Sequence, residues 1–317
     1  MKTTNDANAA KKVLVVGSGM MGHSIAQLFA CAKLDVALVD VNEKVLDRAM
    51  GLIESSLKTL ASFGKIPEKK IASILSRIHP STALAQNAVN ADFVIEAVPE
   101  VPDIKKKVLS SLDEVCPAAT VIASNTSGLD VFSLADMKRP ERLIIAHFFV
   151  PPHIIPLVEV VPGSRTLPEA VSFTARLMER VGKYPVVLKE FVPSFIVNRI
   201  QNSIGPVVLE MLEKGWASPE DIDRAVKYSL GIRLPIIGVV QAMDFNGIDL
   251  IYGILKSTGK ESAFLSKKVE EGHLGVKTAK GTYDYSGRTE AEILRKRDAL
   301  FLKMLDYLKK INAFEPV

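Results

Sequence analysis

The 317-residue sequence predicts an α/β fold: a doubly wound, mostly parallel sheet over residues 1–189, followed by an all-helical part over residues 190–317. Three observations predict it. The apolar run Val13-Leu14-Val15-Val16 leads into Gly17-Ser18-Gly19-Met20-Met21-Gly22, a strand feeding a glycine turn and then a helix. Short, nearly all-apolar stretches then recur through the first part, as strands covered on both faces do. After Glu190 the pattern turns helical almost throughout.

The glycine turn sets the first expectation of function. Gly17 negotiates a tight turn, Gly19 lets backbone approach a pyrophosphate, and Gly22 lets the following helix sit close to the strand. The free N–H groups of that helix, which begins around Met20 and Met21, would face the anion. A plain strand-to-helix turn would use glycine too, so the second half of the unit matters. Asp35-Val36-Ala37-Leu38-Val39-Asp40 reads as the next strand, and Asp40 stands where a carboxylate would accept hydrogen bonds from the adenosine ribose. It would also repel a 2'-phosphate, so NAD is expected rather than NADP.

Next comes a long helix with Asn42 as N-cap, running through Leu46, Ala49, Ile53 and Leu57 toward Gly64, and a further helical stretch after Pro67. Residues 92–97, 120–124 and 143–148 read as short buried strands separated by helices. Residues 157–161 and 184–189 add two more strands around a helix beginning near Pro168. The second part reads as helices over 194–214, 218–230, 238–255 and 262–271, with a charged helical tail from Thr289. Ser218-Pro219-Glu220-Asp221 is a helix start, with a capping hydroxyl, proline in the first turn and acids at the positive end of the dipole.

Forty Lys+Arg against 36 Asp+Glu give a net charge of +4, without basic clusters interleaved with aromatics, so nucleic acid is not implied. The most apolar region, Leu143 to Val161, is broken by His147, three prolines, His153 and Glu159, and no membrane span is expected. Met1 to Lys12 is polar, lacks the apolar core of a secretory signal and reads as a frayed leader. Cys31 and Cys116 lie far apart without metal-ligand spacing. Both are expected to pack in a reducing cytoplasm, and no metal is expected.

Two residues stand oddly in apolar strands. His147 ends one, and Glu159 sits in the middle of Leu157-Val158-Glu159-Val160-Val161. A buried carboxylate costs several kcal/mol unless paired, and His147 is a candidate partner. A carboxylate that orients one imidazole nitrogen leaves the other to take a proton from an alcohol. The bland alternative is a satisfied core histidine and a glutamate paired with some Lys or Arg.

Ser124-Asn125-Thr126-Ser127, His147-Phe148-Phe149 and Phe195-Ile196-Val197-Asn198-Arg199, with Gly17 to Gly22 before them and Gly275-Val276-Lys277-Thr278-Ala279-Lys280-Gly281-Thr282-Tyr283 after them, resemble the L-3-hydroxyacyl-CoA dehydrogenase family. The resemblance covers almost the whole chain. It implies a Rossmann-type domain, NAD as cofactor, fatty-acid metabolism and a homodimer. It further implies His147 as general base, Glu159 as its orienting partner, Ser127 as a hydroxyl on the reacting oxygen, and Asn198 as an amide from the second domain. Glu100 and Lys105 are then expected near the nicotinamide half of NAD, with Lys277 reaching in from the carboxyl-terminal region. Taken alone, Ser127 reads as a helix cap, and Glu100 and Lys105 as solvated charges.

The chain departs from the family's pattern in three places. Val150 stands where an Asn is common, Pro235-Ile236-Ile237-Gly238 replaces a Gly-Pro-Phe-Glu element, and Ser62 and Phe63 stand where adjacent lysines often contact CoA. The stretch Val150 to Glu159, together with Leu230-Gly231-Ile232-Arg233, looks more like relatives that oxidise L-gulonate or carnitine, where Arg233 could bind a free carboxylate. An acyl-CoA substrate is ranked first and a small free hydroxy carboxylate second. A hydroxyacid dehydrogenase with a catalytic lysine, and a catalytically silent NAD-binding protein, are the further alternatives.

Overall fold

Eight strands form one sheet in the order β3-β2-β1-β4-β5-β6-β7-β8 in a computed structural model that describes residues 7–315. The first half of the polar leader therefore lies outside the described residues. In chain order the elements are β1 Lys12–Val16, α1 Met20–Cys31, β2 Asp35–Val39, α2 Glu43–Ser62, α3 Ile71–Leu75, β3 Ile78–Ser81, α4 Leu84–Ala88, β4 Phe93–Glu96, α5 Pro102–Val115, β5 Val121–Ser124, α6 Val131–Leu134, β6 Leu143–Phe148, β7 Leu157–Pro162, α7 Pro168–Arg180 and β8 Tyr184–Val187. They are followed by α8 Val197–Glu213, α9 Pro219–Tyr228, α10 Leu230–Asn246, α11 Ile248–Ser257, α12 Ala263–Glu270 and α13 Glu290–Lys310.

Packing divides the chain into two compact units, 1–203 and 204–317, so the division falls within α8. In the first unit all strand pairs are parallel except β6 with β7. The order reverses between β1 and β4, and a doubly wound sheet binds ligands at such a switch point, outside the carboxyl ends of its strands. Alternation along each strand feeds two cores. Val13, Val15, Phe93, Ile95, Ala146 and Phe148 face the layer of α1, α2 and α7. Leu14, Val16, Val94, Ile122 and Ile145 face the layer of α5. Burial on both faces is why these strands read as continuous apolar runs.

Local chemistry sets the element boundaries. Asn42 caps α2 by accepting the Lys44 N–H, and Ser218 caps α9 by accepting that of Asp221. Thr289 and Glu292 close a full capping box at the start of α13. The stretch after Pro67 forms only a 3-10 turn and the five-residue α3. The edge strand β3 has no sequence expectation behind it, since Ile78-His79-Pro80-Ser81 lacks an apolar run. The helix expected over 238–255 opens at Gly238, whose backbone is non-helical (φ 64°, ψ −173°), and is broken once inside, at Gly247 (φ 91°), both conformations that suit glycine.

Candidate active site

The cofactor cleft is built by the first βαβ unit. Gly17 sits at φ +96°, and a Cβ there would lie 2.6 Å from the Ala97 carbonyl oxygen. At Gly22 a Cβ would overlap the carbonyl oxygen of Gly17, so only glycine lets α1 settle against the turn. Gly19 differs from both. A Cβ there meets nothing within 4 Å, and it faces open space at the start of α1, whose first turn has no side-chain cap. Free N–H groups looking into an open space are the arrangement that takes an anion.

That space belongs to a cavity of about 760 Å³ lined by Gly17, Gly19, Met20, Met21, Asp40, Glu100, Lys105, Asn125 and Ser127, with apolar side chains between them. Eight of the sequence-derived candidates thus share one cleft at the switch point, and Gly22 packs just behind it. Asp40 is fixed by the Ser18 amide (2.7 Å) and hydroxyl (2.8 Å) on Oδ2 and by the Val41 amide (2.8 Å) on Oδ1. Its remaining lone pairs can serve ribose hydroxyls. The residues present therefore fit NAD, with the α1 amides for its pyrophosphate and Asp40 for its adenosine ribose.

Lys105 is not a solvated surface charge, and Glu100, though exposed on one side, is tied to it. Lys105 is 1% exposed, and its Nζ lies 2.8 Å from Glu96 Oε1 and 3.1 Å from Glu100 Oε2. Glu96 is fully buried in β4, and its Oε2 accepts the Ser124 hydroxyl at 2.5 Å. Glu100 Oε1 accepts the Thr126 hydroxyl (2.6 Å) and the Ser127 amide (2.7 Å). Burial pushes the Glu100 carboxyl up, but the Thr126 hydroxyl, the Lys105 charge and the Ser127 amide outweigh it and hold it below the usual carboxylate range. Ser127 caps no helix; α6 is capped by Asp130, and the Ser127 side chain is exposed.

His147 and Glu159 meet because β6 and β7 run antiparallel in a register that sets the two residues directly opposite. His147 Nδ1 lies 2.8 Å from Glu159 Oε2, with both side chains buried. The carboxylate accepts, so Nδ1 carries the proton and Nε2 is left as the base. Phe149 and Phe195 pack on the ring at centroid distances of 4.6 and 5.3 Å. Glu159 Oε1 accepts the amides of Ile196 and Val197, each at 2.9 Å. Burial raises the Glu159 carboxyl, while the bonds from His147, Val197 and Ile196 more than offset it, so it stays below its ordinary range. Ser194 (φ 64°) and Phe195 (φ 53°) hold left-handed backbone just before these amides, a conformation non-glycine residues adopt at a cost.

Asn198 lies in the first unit, where its Nδ2 donates to the Ser127 carbonyl at 3.2 Å. The Asn125 side chain accepts the Phe148 amide at 2.9 Å, which joins the cavity wall to the strand carrying His147. Lys277 belongs to the second unit and pairs with Asp249 at 2.6 Å. Arg233, also in that unit, donates to the Ser229 hydroxyl at 3.2 Å. Glu96, Ser124 and Thr126 are supporting residues that sequence reasoning passed over. Glu96 could have been found as Glu159 was, as an acid inside an apolar strand.

A dinucleotide cleft joined to an imidazole whose free nitrogen can accept an alcohol's proton has the parts of a nicotinamide-dependent dehydrogenase. Comparison with known proteins makes this specific. The family model described as "3-hydroxyacyl-CoA dehydrogenase, NAD binding domain" matches residues 12–191, and that of the "C-terminal domain" matches residues 195–285. A probable 3-hydroxybutyryl-CoA dehydrogenase of Bacillus subtilis is 34% identical over 88% of this chain and 99% of its own length. A 5-formyl-3-hydroxy-2-methylpyridine 4-carboxylate 5-dehydrogenase of Mesorhizobium japonicum is 29% identical over 87% of this chain and 91% of its own. The crystal structure of the 3-hydroxyacyl-CoA dehydrogenase of Archaeoglobus fulgidus superposes with a TM-score of 0.79 at 31% identity, covering 94% of this chain and 99% of that one. The chain belongs to the 3-hydroxyacyl-CoA dehydrogenase family and is an NAD-dependent dehydrogenase acting on a CH–OH group.

Proposed function

We propose that the protein interconverts an L-3-hydroxyacyl-CoA and its 3-oxoacyl-CoA, with His147 as general base and Glu159 as its partner. The observation that carries this reading is the cross-strand pair itself, an imidazole held by a buried carboxylate at 2.8 Å beside the wall of the NAD cleft. His147 Nε2 takes the hydroxyl proton, and Glu159 stabilises the imidazolium that results. NAD, held by the α1 amides and Asp40, would supply the hydride acceptor for the same carbon. In the reverse direction the imidazolium returns its proton to the alcohol oxygen. Ser127 is the candidate donor to the carbonyl oxygen, and Asn198, through its bond to the Ser127 carbonyl, keeps that loop in place. Cofactor roles for Gly19, the α1 amides, Asp40, Glu100 and Lys105 belong to the same proposal, as does Lys277.

The reading extends to the assembly and the compartment. A homodimer is supported by apolar residues left exposed along α8, and the cytoplasm by two cysteines held as free thiols.

A second reading, oxidation of a small free hydroxy carboxylate, is favoured by the loop after His147. Val150 opens that loop, and the buried Lys183 ties it down by donating to the Pro152 and Ile155 carbonyls. The Mesorhizobium relative is named for a pyridine carboxylate, not an acyl-CoA. Steady-state rates with NADH decide between the two. Higher kcat/KM with acetoacetyl-CoA than with free 3-oxo acids is the expected order, and the reverse order would replace the first reading with the second.

A further inference from the structure

We infer that Glu96, Lys105 and Glu100 form a charge cluster that tilts the cleft toward the oxidised cofactor relative to a neutral wall, with the buried Glu96 as its positioning residue. The inference rests on NAD binding as read above and adds a role for residues beneath the cleft wall.

Among the described residues of the first unit the cluster is short by one cation. Two carboxylates share the single Lys105 ammonium, at 2.8 Å from Glu96 and 3.1 Å from Glu100, which leaves one negative charge uncompensated. Removing Lys105 and Glu96 from water is costly, and a neutral pair or an apolar filling would avoid that cost. Their retention beside a ligand cleft points to a use for the charge. Glu96 is fully buried and its two oxygens are shared among Lys105, the Val98 amide (2.8 Å) and the Ser124 hydroxyl. It acts through its neighbours: it holds the ammonium in place for Glu100, and Ser124 in turn accepts the Thr126 amide.

The cluster's place in the cleft says which part of the cofactor it faces. Asp40 marks one end, where the adenosine ribose belongs, and the glycine turn marks the pyrophosphate position. Glu100 binds the Ser127 amide and the Thr126 hydroxyl at the other end of the lining. At that end Asn125 accepts the amide next to His147. The hydride has to leave the carbon whose hydroxyl His147 deprotonates, so the nicotinamide ring belongs at the Ser127 end, beside Glu100. The ring carries a positive charge when oxidised and none when reduced. A negative charge fixed in a partly dehydrated wall attracts only the first form, and screening is weaker there than in open solvent. The cluster thereby shifts the bound cofactor's equilibrium toward NAD+, which favours reduction of a bound 3-oxo substrate by NADH.

Dissociation constants for NAD+ and NADH, measured by calorimetry and by nicotinamide fluorescence on the full-length protein, test this. Glu96→Gln and Glu100→Gln each remove one negative charge with little change of shape. Each is expected to raise the ratio of the NAD+ to the NADH dissociation constant by roughly five- to tenfold. A ratio of the two constants that does not move, or two constants that rise together, would overturn the inference, because a merely structural role affects both forms alike. Glu100 is 41% exposed, so its variant keeps the test available where Glu96→Gln does not fold. NADH binding by the wild-type protein is the separate control: its absence removes the cofactor reading itself, whereas a fixed ratio removes only the cluster's role.

Discussion

On the proposed reading His147 is needed for proton transfer and not for holding NAD. Glutamine in its place keeps a hydrogen-bonding side chain of similar reach but cannot act as a base. His147→Gln is expected to lower kcat between about 10²- and 10⁴-fold with NADH affinity unchanged by fluorescence titration. Near-parent turnover would remove His147 as the base. Glu159 supports a second prediction. Its carboxyl pKa is lower in the folded chain than in the unfolded one, so its ionised bonds contribute stability above the unfolded value of about 4.3. That contribution is lost as pH falls through the folded value. The melting-temperature gap between the wild type and Glu159→Gln should therefore narrow as pH drops below about 4.3, and a gap independent of pH would contradict the pairing. These two residues were legible from sequence because each breaks an apolar strand. Glu96 breaks one as well, yet its cation arrives from the following helix, and only the fold brings Lys105 under the cleft.

Elements carry the contrast between Gly22 and Gly19. At Gly22 a methyl group would collide with backbone of the turn, and backbone cannot rotate aside as a side chain can. Gly22→Ala is expected to cost about 2 to 4 kcal/mol in denaturant unfolding of the cofactor-free protein. Gly19→Ala meets no protein atom, so cofactor-free stability should hold while the KM for NAD rises by about tenfold or more, since the methyl enters the space left for the pyrophosphate. Equal destabilisation by both would show that Gly19 serves the fold and not the ligand. Periodicity made most of these elements visible, down to the Asn42 and Ser218 caps. It missed β3, an edge strand with only one buried residue, and it ran one helix across Gly247, where α10 ends and α11 begins. In both places backbone geometry decides, and side-chain pattern carries little of it. The buried Asp244 is similar: it accepts the Thr282 and Tyr283 amides and the Thr282 and Tyr285 hydroxyls, fixing the 275–285 segment from a position that reads as ordinary helix.

For the whole molecule, the open question is what covers the apolar surface of the helices after residue 197. Neither α8 nor α9 has a buried residue within the single chain. Along α8, Ile200, Ile204 and Val207 recur at helical spacing and are each at least 44% exposed, with Leu209 at 58%. A helix survives in water with one apolar face only if something covers that face, and an exposed patch of contiguous aliphatic side chains is characteristic of an association surface. A second copy of the chain is the proposed occupant, so sedimentation equilibrium should give twice the chain mass at micromolar concentration. Ile204→Asp and Val207→Asp place a charge in the middle of the stripe without disturbing any buried contact of the helix. Each is expected to shift the equilibrium to monomer while far-UV circular dichroism stays unchanged. Retention of the dimer in both variants would move the interface to another face, and a wild-type protein that sediments as a monomer would reject the homodimer outright. Spacing alone does not distinguish a core face from an interface, because both demand the same pattern of the same side chains; the exposure of α8 is what separates them.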